Sequence, residues 1–125
     1  MPDNLWPANI ADANLVTPVS ILKEQATLLA EQTRQLVIGE VTTDTTGNLF
    51  VHHFYVVAPT LSYRYELFQV SHGISFYPLT LRHLGQPIAM TKNDNFATFK
   101  QNLKTIFASE STLNVVHSIL AQVRP

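Results

Sequence analysis

Between Val37 and Leu84 the sequence alternates with a period of two, and turn residues interrupt it roughly every 10–15 positions. Val37–Thr43 reads as a strand, and Thr45-Thr46-Gly47-Asn48 as a turn in which Gly47 and Asn48 tolerate positive φ. Leu49–Ala58, rich in Val, Phe and Tyr, is the clearest strand. Ala58–Ser62 connects it to Tyr63–Val70, and Ser71-His72-Gly73 connects that to Ile74–Arg82. Parallel strands need a crossover of about a dozen residues or more, and no gap here is that long. The block therefore predicts a four-stranded antiparallel meander. Pro78 has no N–H for a ladder, so the fourth strand is expected to be an edge or to carry a bulge.

Helical periodicity flanks this block. Val19, Leu22, Ala26, Leu29, Thr33 and Leu36 form one stripe, with Thr17 as N-cap and Pro18 at the first helical position, predicting a helix over Pro18–Leu36. After a short apolar piece at Pro87–Met90, which suits a brief extra strand, Asn93 or Asp94 is expected to cap a helix over Asn95–Phe107. Ser109 and Glu110 then open a third helix, Glu110–Gln122. Residues 1–16 read as an irregular arm whose single Trp6 is expected to dock on the body, because an indole buries a large apolar area. The expected fold class is α+β in a single domain over residues 1–125: a helix, a four-stranded antiparallel meander, then two C-terminal helices packed on the sheet.

Hydrophobic residues make up 46% of the 125 and charged residues 14%, which excludes intrinsic disorder. Eight Lys+Arg against nine Asp+Glu leave a net charge of -1 and no field to hold nucleic acid. With no cysteine there is no disulfide scaffold, thiolate metal site or cysteine nucleophile. Met1–Leu15 carries Asp3 and Asp12 without Lys or Arg, unlike a secretory signal, and no apolar run reaches the ~18 residues of a membrane helix. A soluble cytoplasmic protein with no membrane partner is the expectation.

The chemistry-bearing residues form no catalytic pattern. His52 and His53 are adjacent on a strand and point to opposite faces, so they cannot ligate one ion together there. The spacings H-x-H and H-E-x-x-H do not occur, nor do G-x-S-x-G, a P-loop or G-x-G-x-x-G. No metal and no cofactor are expected, and the reading leans away from an enzyme. Leu49–Ala58 looks apolar on both faces, and only Arg64 and Glu66 are charged between Leu49 and Leu81, so both faces of the sheet are expected to need cover.

The binding candidates are Tyr55, Tyr63, Tyr65 and Tyr77 with Arg64, Glu66 and His52, since Tyr and Arg are enriched at binding hot spots. The expected function is a non-enzymatic protein-binding or assembly module acting through an apolar sheet face, with a homodimer or another protein as partner. The alternative is a small apolar-ligand binder or minor enzyme with a pocket between the sheet and the first helix.

Overall fold

The structure, a computed structural model, describes residues 3–11, 15–85 and 89–124. Its elements run α1 (Pro18–Gln32), β1 (Ile38–Thr46), β2 (Leu49–Ala58), a 3-10 turn (Pro59–Leu61), β3 (Tyr63–His72), β4 (Leu79–His83), β5 (Ala89–Asn93), α2 (Phe96–Phe107) and α3 (Glu110–Val123). The α+β class and element order are those read from the sequence, with a fifth strand added. The sheet is one antiparallel meander in the order β1-β2-β3-β4-β5. No helix among the described residues is long and apolar enough to cross a membrane.

Local chemistry sets the boundaries. Thr17 and Ser20 form a capping box at the start of α1, each side chain accepting from the other's backbone N–H at 3.1 Å. The helix stops at Gln32, four residues before the predicted Leu36. Arg34 and Gln35 take positive φ, and the Gln35 N–H donates back to the Ala30 carbonyl at 2.8 Å. The buried Thr33 hydroxyl holds this exit by bonding to the Val37 carbonyl at 2.7 Å. Gly47, at φ 59, makes the tight β1–β2 turn. The fourth strand is shorter than expected because Pro78 cannot donate, and pairing begins at Leu79. Asn95, rather than Asn93 or Asp94, caps α2, accepting from the Thr98 N–H at 2.8 Å. Lys92 lies on β5, and Lys100 and Lys104 lie on α2. The first part of the Pro87–Met90 piece lies outside the described residues.

All three helices pack on one face of the sheet. Ala26 of α1 sits so close to β1 that a Cβ on Gly39 would lie 2.5 Å from the Ala26 Cβ. Phe54 and Phe68 stack at 4.9 Å with their planes 8° apart, and Phe107 at the end of α2 leans on both. Leu22, Val56, Leu67, Val70, Leu81 and Phe99 complete a buried core, each side chain contributing about 1.5–3 kcal/mol. The expectation that both faces are covered is not met within the chain.

One bulge explains why polar and apolar residues seem mixed on the faces of the third strand. Phe54 pairs with Phe68 but Tyr55 pairs with Glu66, so Leu67 is an extra residue on β3. From His72 back to Phe68 the inward residues are even-numbered; beyond Leu67 they are odd. Tyr63 and Tyr65 thus share the helix-covered face with Phe68 and Val70, while Arg64 and Glu66 share the open face with Gln69 and Ser71.

Candidate functional site

The seven residues singled out in the sequence fall into four places. Tyr55, Arg64 and Glu66 lie on the open face of the sheet. The Arg64 guanidinium stands 3.6 Å above the Tyr55 ring and reaches Glu40 of β1 at 2.6 Å. Beside them His53 sits between two carboxylates, with Nε2 at 2.9 Å from Asp44 and Nδ1 at 2.6 Å from Glu66. Gln69 also donates to Glu66, at 2.8 Å. Burial would raise the Glu66 pKa, but the hydrogen bonds from His53 and Gln69, with His53 and Arg64 charge, outweigh it and hold the carboxyl below its usual range.

Both ring nitrogens of His53 thus face carboxylates of the same chain. The network is a polar ladder that crosses β1, β2 and β3 and keeps this face wet. Exposed pairs of this kind each contribute about 0–1 kcal/mol.

Tyr63 and Tyr65 lie on the other side of the sheet. With Leu61, Val115 and Ile119 they line a groove of about 600 Å³ between β3 and α3. Tyr77 is separate again. It meets Phe99 edge-on at 6.5 Å, and its buried hydroxyl has no hydrogen-bond partner among the described residues. Burial pushes its pKa up.

His52 belongs to a buried chain of polar contacts. Its Nδ1 is 2.8 Å from Thr43 Oγ1, its Nε2 is 2.8 Å from His72 Nε2, and His72 Nδ1 is 2.7 Å from the Gly73 carbonyl oxygen. A carbonyl only accepts, so for two neutral rings one arrangement satisfies every contact. His72 Nδ1–H donates to Gly73, His52 Nε2–H donates to His72, and the Thr43 hydroxyl donates to His52. Desolvation first, then His72, His53 and Lys23, hold His52 down to about 4. Phe50 stacks on His72 and Phe76 meets it edge-on. Among the described residues no group of three or more His, Asp or Glu side chains is placed to hold a metal.

Two further features lie apart from these seven residues. A cleft of about 320 Å³ opens between α1 and α3, with Phe54, Val56 and Leu67 as its floor and Leu29, Val116 and Leu120 as its walls. Gln25, Gln32 and His117 stand at its rim. Its apolar residues had been assigned to the core by periodicity, which reports a face and not the width of the gap between two helices.

The second feature is the outer edge of β1. It is the longer of the two edge strands, nine residues without proline, lysine or arginine, and pairs on one side only. Compared with known proteins, the chain matches no family model, no curated protein and no solved structure.

Proposed function

We propose that the protein is a non-enzymatic assembly module that joins a second copy through the free edge of β1. The observation that carries this reading is the nine-residue edge with no protecting device. An unpaired strand edge presents a row of N–H and C=O groups to any strand of matching length. The acids on β1 do not guard it, because Glu40 is held by Arg64 and Asp44 by His53 within the chain. The open sheet face is a weaker candidate, since its side chains are already paired with one another.

Two-fold antiparallel pairing restricts the register. Centred on Thr42, it sets Glu40 against Asp44 of the second copy, a like-charge pair that opposes assembly. Centred on Val41, it sets Glu40 against Thr42 of the second copy, which carries no such penalty. Size-exclusion with light scattering tests the reading. Thr42→Pro and Thr45→Pro differ in parity, so one removes an amide facing β2 and the other an amide facing outward. The expected result is a dimer that the outward variant converts to a folded monomer. A monomer at high concentration, or a dimer unmoved by both variants, overturns the proposal.

A second reading, a small apolar-ligand binder, is supported by the cleft between the sheet, α1 and α3. Its volume falls at the low end of the roughly 300–1,000 Å³ of ligand sites. Chemical-shift changes at Leu29, Val116 and Leu120 on adding a two-ring aromatic compound are expected under it, and their absence removes it.

A further inference from the structure

The N-terminal arm carries a second liability that the body does not resolve. Leu5 is 91% exposed, Trp6 69%, Ile10 59%, Leu15 72% and Val16 65%. The expectation that Trp6 docks on its own chain is therefore not met. Among the described residues the hydrogen bonds of the arm run within itself, from the Trp6 N–H to Asn4 and from the Ile10 N–H to the Pro7 carbonyl. Five large apolar side chains in so short a stretch are more than scattered surface residues account for.

The body carries the complementary defect. The α1–α3 cleft, at about 320 Å³, leaves space over an aromatic and aliphatic floor. A cavity of about 150 Å³ holds a benzene ring, so this one has room for an indole bicycle. A buried indole also needs an acceptor for its N–H. The side-chain carbonyls of Gln25 and Gln32 at the rim supply that chemistry, and neither residue makes a side-chain hydrogen bond to another described residue.

We propose that the α1–α3 cleft receives the N-terminal arm of a second copy of this chain, with the Trp6 indole as its plug. Trp6 stands in solvent and does not line the cleft of its own chain, which points to exchange between molecules. The capping box at Thr17 and Ser20, with Pro18 at the first helical position, fixes where the chain leaves α1. Leu15 and Val16, immediately before it, face solvent. Reach is not limiting. Twelve residue steps separate Trp6 from Pro18, about 40 Å when extended, against about 22 Å for the whole of α1. The proposal does not rest on pairing through β1, and the arm contributes side chains that the edge does not.

Trp6 is the sole tryptophan, so intrinsic fluorescence of the full chain reports on this one side chain. On concentrating the protein, its emission is expected to move to the blue and acrylamide quenching to fall several-fold. Val116→Phe fills the cleft with a larger apolar group, and in this variant the emission is expected to stay red at every concentration. Trp6→Ala alters only the arm, and is expected to weaken self-association about 10- to 100-fold by light scattering.

Emission that stays red throughout in the unmodified chain overturns the proposal. So does a blue shift independent of concentration, which places the arm on its own chain. A concentration-dependent shift that survives Val116→Phe, in a variant shown to be folded, places the arm elsewhere and overturns it too. If neither proline variant of β1 changes the oligomer but the fluorescence shift remains, the edge reading fails and the arm exchange stands.

Discussion

β5 closes one side of the sheet with five residues, and its Lys92 points into solvent at 71% exposure. β1 closes the other side with nine residues, four of them threonine and none basic. A short strand bearing lysine is a common defence against edge pairing, and a long uninterrupted strand is what such defences exist to prevent. The contrast separates a finished border from an open one. α1 anchors the open border at Gly39, where the helix and strand backbones come close.

The largest effect is expected where that anchor is broken. In Gly39→Val the new side chain meets the Ala26 Cβ and the Ala26 backbone, neither of which yields without moving α1. A loss of about 3 kcal/mol is expected in chemical denaturation, at the upper end for overpacking. A loss below about 1 kcal/mol would mean that α1 is free to slide and that β1 is not held as described.

Acid is the next lever, because Thr43 of β1 bonds to His52. The unfolded His52 ring takes a proton near 6.5, but the folded ring resists until about 4. Its contribution is fully present above about pH 6.5 and is lost as pH falls from there towards 4. The shift corresponds to at most about 3 kcal/mol, and partial water access reduces this to roughly 2. His83 on β4, also lowered by burial, adds in the same direction. His52→Gln removes the titrating ring, so its stability is expected to fall less steeply over this range. An unchanged slope would locate the acid response elsewhere.

Moving lysine between the edges gives the smallest effects. Thr45→Lys transplants the β5 device onto β1, and is expected to weaken dimerisation about tenfold, with the stability of the monomer within about 0.5 kcal/mol of the parent. Lys92→Thr strips the device from β5, with no change expected beyond about 0.5 kcal/mol in folding and a slight rise in self-association on concentrating. If the two substitutions shift light scattering equally, the edges are equivalent and the contrast has no functional content.

Where local chemistry is sufficient, the sequence was readable. Thr17, Pro18 and Ser109 marked helix starts, Gly47-Asn48 marked the hairpin, and β2 was bounded at both ends by its own composition. The expectations departed from the structure where a distant partner decides. The brief strand expected at Pro87–Met90 stops short of Lys92 and Asn93, which carry no strand signal, and β5 reaches them because β4 supplies a ladder. Trp6 was expected to dock on apolar content alone, which says nothing of where the arm carries it, and it stands in solvent. The candidate residues scattered for a related reason. Regular alternation through Leu67 would place Phe68 and Val70 beside Arg64 and Glu66, on faces that the bulge keeps apart.

That extra residue in β3 has a consequence for how the chain tolerates change. Swapping Leu67 for another aliphatic of similar bulk leaves the pleat intact and disturbs only its immediate neighbours. Excising it leaves Phe68 beside Glu66, one facing in and the next facing out, so the ladder becomes regular and Tyr63–Glu66 keep their faces and partners. A gap of one codon there is a packing lesion, the loss of one buried leucine, and not a slip of register.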